Sequence, residues 1–210
     1  MNTCFIVGSG DFTDKDFTPI AGDLIIAADG GYRHLAKLGV TPTLFTGDFD
    51  SLDENTLPSS IDIIRFPREK DDTDMGLALS EGVKRGFSRF RLYGGSGSRP
   101  DHFLANLQLL TKASLAGADI ALICPGFSVY AVSKSSLTVK RMEGTVLSVF
   151  SALSEAAGVT LENVKYPLEN ACLTAAFPLG VSNEFTSLPA RVSVQSGALW
   201  VFVYDCPNDD

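Results

Sequence analysis

The sequence predicts an α/β domain, a mostly parallel sheet with helices on both faces, followed by a smaller all-β sandwich domain. Three observations carry that prediction. Strand-like and helix-like stretches alternate from residue 3 to residue 124. The apolar runs of that first part end repeatedly in glycine and aspartate, as strands entering ligand-binding loops do. After Gly126 the helical period disappears and short β-prone runs alternate with turn residues.

Residues 3–7 form the first apolar run, ending in Gly8-Ser9-Gly10-Asp11. The third glycine of a dinucleotide fingerprint is missing, so that motif is rejected. Residues 23–28 are continuous and β-rich, as strands buried on both faces are, and end at Asp29-Gly30-Gly31. Residues 32–38 read as a helix stopped by Gly39. Residues 44–46 are a third strand running into Gly47-Asp48-Phe49-Asp50-Ser51, and 61–66 a fourth running into Pro67-Arg68-Glu69-Lys70-Asp71-Asp72-Thr73-Asp74. Met75, Leu79 and Val83 step by four, which predicts a helix over 75–85 capped by Thr73 or Asp74. A strand over 90–93 then enters Gly94-Gly95-Ser96-Gly97-Ser98-Arg99-Pro100-Asp101-His102. A helix carrying Phe103, Leu104, Leu107 and Leu110 follows, and 120–124 closes the alternating set.

Beyond it seven strands are expected, over 129–132, 137–139, 145–150, 159–161, 173–176, 191–195 and 199–204. This spacing suggests a small sandwich or barrel. The division is placed at 1–127 and 128–210, with no linker of biased composition.

Composition narrows the function classes. A net charge of −8 and a pI of about 4.7 repel nucleic acid, and no Lys/Arg cluster offsets them. No run approaches the ~18 apolar residues of a membrane span, and residues 1–5 lack the basic region of a secretory signal. A cytoplasmic location is expected. The four cysteines, Cys4, Cys124, Cys172 and Cys206, are scattered without metal-ligand spacing and read as reduced thiols.

The loops at the predicted strand ends collect Asp29, Asp48, Asp50, Asp71, Asp72, Asp74 and Asp101, with Arg68, Lys70 and Arg99 among them. Carboxylates brought together repel one another unless a cation sits between them. Hard divalent ions, Mg²⁺ above all, take one or two carboxylates plus substrate phosphates. Glycine-rich loops let backbone N–H groups approach phosphate oxygens, and helix N-termini favour anions. The set is equipment for phosphoryl-type transfer, in which the protein positions reactants and offsets charge. No P-loop is present.

In order and spacing these motifs, with Lys165-Tyr166-Pro167-Leu168 and Ser182-Asn183-Glu184-Phe185 in the β-rich part, resemble the thiamine pyrophosphokinases. Thr43 departs from that pattern, which often has aspartate there. The resemblance implies an ATP-binding α/β domain, a thiamine-binding sandwich, and a homodimer with sites at the subunit interface. It implies Mg²⁺-dependent transfer of the diphosphoryl unit of ATP to the thiamine hydroxyl, releasing AMP.

Carried over by residue, Asp48, Asp50 and Asp74 would hold the metal, with Arg99 and Asp101 completing the catalytic group. Asp29, Gly30, Gly31, Lys70, Asp71, Gly94, Ser96, Gly97, Arg99 and His102 would bind ATP, and Ser182 and Asn183 thiamine. Trp200 is either a stacking surface or strand core. No strong general base stands out. The competing readings are a pyrophosphokinase of the same architecture acting on another alcohol such as a pterin, a nucleotide-sugar transferase, and a non-catalytic thiamine- or nucleotide-binding protein.

Overall fold

The computed structural model describes residues 1–47, 57–66 and 72–207. The chain divides into two compact units, one of Met1–Asn106 with Leu122–Pro125 and one of Leu107–Ala121 with Gly126–Asp210. No helix among the described residues is long and apolar enough to cross a membrane.

In the first unit β1 (Cys4–Val7), β2 (Leu24–Ala28), β3 (Leu44–Gly47), β4 (Asp62–Arg65) and β5 (Arg89–Tyr93) stand in the order β5-β1-β2-β3-β4, every neighbouring pair parallel. The uninterrupted apolar character of β1 and β2 follows from burial on both faces. Helix α2 (Asp74–Lys84) covers the face bearing Cys4 and Phe90, where Gly82 leaves room for both side chains. The opposite face carries an aromatic cluster in which Phe5, Phe12, Phe17 and Tyr93 meet at ring-centre distances of 5.2–6.4 Å. Helix α1 (Tyr32–Lys37) adds His34 to that cluster, stacked on Phe12 at 4.9 Å, and stops before Gly39, whose φ of +69° suits a residue just past a helix end.

Thr73 caps α2 as expected, its Oγ1 accepting from the Gly76 N–H at 3.1 Å. Helix α3 (Pro100–Leu115) opens on proline, which is pre-set for a first helical position and lacks the N–H that would be unpaired there. Strand β6 (Asp119–Cys124) follows it, with Leu122–Cys124 in the first unit.

The second unit is a two-sheet sandwich. Strands β7 (Phe127–Ser133), β9 (Thr145–Ser151), β12 (Gly180–Glu184) and β14 (Ala198–Pro207) form one antiparallel layer in the order β12-β9-β14-β7. The other, ordered β11-β10-β13-β8, contains β8 (Ser136–Val139), β10 (Glu155–Glu162), β11 (Leu168–Thr174) and β13 (Ala190–Ser193). Alternation along the strands builds the core: Leu199, Val201 and Val203 of β14 with Leu147 and Val149 of β9 meet Val159 and Leu161 of β10 and Val192 of β13. Trp200 points the other way, and its indole N–H reaches the Leu107 carbonyl at 3.2 Å and Thr111 Oγ1 at 2.8 Å on α3. Half-buried, it rests against α3.

Two expectations need correcting. The second unit has eight strands among the described residues where seven were expected, because β12 reads Gly-Val-Ser-Asn-Glu and carries turn residues at three of five positions. The strand placed over 173–176 is β11, Leu168–Thr174, whose exposed Glu169 and Asn170 break the apolar run that marks a strand.

Candidate active site

The winding of the first unit decides where its loops meet. The chain runs from β1 outward through β2 and β3 to β4, then returns to lay β5 against the other side of β1. In open α/β sheets a crevice opens at such a reversal, beyond the carboxyl ends of the strands. A cleft of about 950 Å³ lies there, lined by the loop after β1, the end of β2, the start of α2, and the loop from β5 into α3.

Its walls are largely backbone. The Gly10 N–H donates to the Gly94 carbonyl at 2.9 Å and the Asp11 N–H to the Ser96 carbonyl at 2.8 Å, lacing the two glycine loops together. Gly94 sits at φ +63°, and a Cβ there would overlap the Gly8 carbonyl oxygen, so neither its conformation nor its surroundings admit a side chain. The Asn106 amide donates to the Gly95 carbonyl at 2.8 Å from beneath. His34 Nε2 lies 3.0 Å from the Gly10 carbonyl oxygen and closes the outer side.

Of the residues expected at the site, Asp29, Asp74, Gly94, Ser96, Gly97, Arg99 and His102 line this cleft. Gly30 and Gly31 are buried in the short 3-10 turn just behind Asp29. Asp29 itself has φ +49°, a left-handed conformation for a residue with a side chain, the kind of local strain that clusters at ligand sites. Asp48, Asp50, Lys70 and Asp71 lie outside the described residues, as does Arg68. Sequence reasoning left out Gly8, Ser9, Gly10, Asp11, Phe12, His34 and Asn106, all at the cleft. The run Gly8-Ser9-Gly10-Asp11 was visible as a loop; its place at the cleft depends on β1 and β5 being neighbours.

Arg99 is held by Asp101 rather than presented singly. Its Nε donates to Asp101 Oδ1 at 2.9 Å and its Nη2 to Oδ2 at 2.6 Å, a bidentate pair with both side chains exposed. That guanidinium, through its hydrogen bonds, holds the Asp101 carboxyl well below the usual carboxylate range. The Asp101 partner in turn raises Arg99 above its ordinary value. An arriving phosphate would therefore compete with a carboxylate already in place.

The described part of the cleft is rich in oxygen donors: Asp11, Asp29, Asp72 and Asp74 line it, and α2 starts there with Asp74 in its first turn. This donor set suits a hard cation that completes its shell with water and phosphate oxygens. Among the described residues no three His, Cys, Asp or Glu side chains gather closely enough to hold an ion by themselves. The residues present thus fit a magnesium ion shared with a phosphate ligand.

In the second unit Ser182 and Asn183 line a separate pocket of about 190 Å³ with Leu161, Tyr166, Leu168 and Leu179. Ser182 adopts φ +55° in a bulge of β12 against β9, and its N–H donates to Ser148 Oγ at 3.1 Å.

A parallel α/β unit with an acidic, glycine-walled cleft at its strand ends, followed by an antiparallel sandwich, defines a two-unit α/β-plus-β protein whose cleft suits a charged ligand. Comparison with known proteins narrows this. The family model described as thiamin pyrophosphokinase, catalytic domain, matches residues 21–122, and that for the vitamin B1 binding domain matches residues 134–199. The thiamine pyrophosphokinase of Bacillus subtilis (strain 168) is 30% identical over 181 residues, 84% of this chain and 85% of that protein. The crystal structure of thiamine pyrophosphokinase from Bacillus subtilis superposes with a TM-score of 0.86 at 26% identity, covering 97% of this chain and 99% of that one. That of a thiamin pyrophosphokinase family protein from Enterococcus faecalis gives 0.82 at 29% identity, over 98% and 100%. The chain belongs to the thiamine pyrophosphokinase family.

Proposed function

We propose that this protein is a Mg²⁺-dependent thiamine diphosphokinase that transfers the β,γ-diphosphoryl unit of ATP to the hydroxyl of thiamine, releasing AMP. The observation that carries this reading is the cleft at the β1/β5 reversal, in a chain of this family: acidic oxygens and the starts of two helices face one space walled by glycine backbone. In the proposed division residues 1–127 serve ATP and residues 128–210 serve thiamine. The enzyme is further proposed to be a cytoplasmic homodimer with its sites at the subunit interface.

The chain's own residues would act mainly by position. The glycine loops after β1 and β5 bring backbone close to the triphosphate, and the N-terminal ends of α2 and α3 favour its charge. Lys70 and Arg99 offset negative charge, with Arg99 oriented by Asp101 until phosphate shares it. Asp29, Gly30, Gly31, Asp71 and His102 complete the ATP contacts. Asp48, Asp50 and Asp74 would hold Mg²⁺, which, when bound, supplies positive charge against the phosphate oxygens. Ser182 and Asn183 build the thiamine subsite.

Incubation with ATP, Mg²⁺ and a panel of alcohol acceptors, with AMP as the readout, tests this reading. AMP formed with thiamine is the expected result; AMP formed only with another acceptor, such as a pterin alcohol, or none at all, would overturn it. Asp74→Asn should reduce AMP formation by about 10²–10³-fold, in line with losing one charge-stabilising group at a transition state. Full retention of turnover in that variant would remove Asp74 from the site.

A further inference from the structure

Asn183 is 3% exposed, and its amide is spent on backbone. Its Oδ1 accepts from the Tyr166 N–H at 3.0 Å and from the Glu184 N–H at 2.9 Å, and its Nδ2 donates to the Tyr166 carbonyl at 2.7 Å. An amide oxygen has two lone pairs, so Oδ1 is saturated and offers nothing to a ligand. The paired bonds to Tyr166 reproduce what a neighbouring strand would give that residue: one donor and one acceptor in register. Lys165 is tied to the same strand, its N–H to the Glu184 carbonyl at 3.0 Å and its Nζ to Glu184 Oε1 at 2.7 Å.

What is held this way is a side chain left outside. Tyr166 is 58% exposed, costly surface for an aromatic ring, and it lines the 190 Å³ pocket with Leu161, Leu168, Leu179 and Ser182. Whole-ligand sites run to roughly 300–1,000 Å³, so this pocket takes one part of a ligand. An apolar floor, a serine hydroxyl at the rim and an aromatic wall suit a flat, cationic heteroaromatic ring.

We propose that Asn183 is a positioning residue rather than a ligand-contacting one. Its side-chain amide clamps the Tyr166 backbone so that the Tyr166 ring forms the wall against which a ring of the substrate lies. The proposal deepens the thiamine reading and rests on it.

The test is a double-mutant cycle with an added structural readout. Asn183→Ala and Tyr166→Ala should each raise KM for thiamine by about 10-fold while leaving KM for ATP in place. The double variant should be no worse than either single one, because both remove one element. Multiplying effects, about 100-fold in the double variant, would mean that Asn183 meets the substrate on its own account and would overturn the proposal. Tyr166→Ala keeps all three Asn183 bonds, which run to backbone atoms, so it tests the ring even if Asn183→Ala folds poorly; an unchanged KM for thiamine there would also overturn it. Hydrogen exchange reads the clamp without any substrate: the Tyr166 amide should lose protection in Asn183→Ala, and retained protection would refute the clamp. A wild-type protein that makes no AMP from thiamine would sink the functional reading, and the ring's role with it, while the exchange result would still decide the clamp.

Discussion

The cleft of the first unit and the pocket of the second are built from different materials. The cleft is made by main chain: loops after β1 and β5 hydrogen-bonded to each other, with glycine where they touch. The pocket is made by side chains: leucines and a tyrosine from several segments and a serine from the bulged strand β12, with a buried asparagine as the fastener. Backbone walls suit a ligand recognised by repeated charge, such as a chain of phosphates, and they tolerate no added atoms. Side-chain walls suit a ligand recognised by shape, and there a change of size is graded. The same contrast appears in the cysteines. Cys4 and Cys124 of the first unit are buried and their thiols pushed up to about 12 and about 11, whereas Cys172 and Cys206 of the second are exposed.

The contrast is sharpest where one or two methyl groups are moved. Gly94→Ala adds one carbon at a left-handed φ against the Gly8 carbonyl, and should cost about 3 kcal/mol of stability and abolish turnover. Val181→Ala removes two carbons from a half-exposed wall of the second pocket and should leave the unfolding midpoint within about 0.5 kcal/mol of wild type. Denaturant unfolding of both variants would measure the difference, and comparable losses would break the comparison.

A smaller effect is expected at the start of α2. Thr73→Ala removes the cap on the Gly76 N–H and should lower stability by about 1 kcal/mol. Because Asp74 sits in the first turn of the same helix, ATP turnover should fall in parallel. Unchanged unfolding would mean that the cap is not holding the helix start.

The smallest effect concerns Asp101. Its folded-state pKa is depressed, so its contribution to stability is present above the ordinary aspartate value of 3.8 and is lost as pH falls through the lowered folded value. Since the Arg99 pair is exposed, solvent screens it. Because the pair is screened, Asp101→Asn should leave unfolding unchanged at neutral pH and along the acid limb alike. A measurable loss at neutral pH would show the pair to be structural.

Much of this was legible in the chain. The strands β1 to β6 and the helices α1 to α3 follow from apolar runs, a four-residue step, a threonine cap and a terminal glycine, all local signals. Strand β12 was not legible, because Gly180, Ser182 and Asn183 read as a turn and become a strand only by pairing with β9 through a bulge. Gly8-Ser9-Gly10-Asp11 was legible as a loop but not as part of the site. Asn183 stood out as a polar residue in a motif, yet its partners lie 17 residues back at Tyr166, out of reach of any local reading.

By itself, then, the sequence determined the kinds of element, their order, and the chemistry of the loops, since these depend on neighbours within a few residues. Only the tertiary structure decided which loops share a space and which polar groups remain to meet a ligand. Return of the chain to the far side of β1 joins two glycine loops more than eighty residues apart into one cleft. Folding alone spends the Asn183 side-chain amide on the backbone of Tyr166 and Glu184.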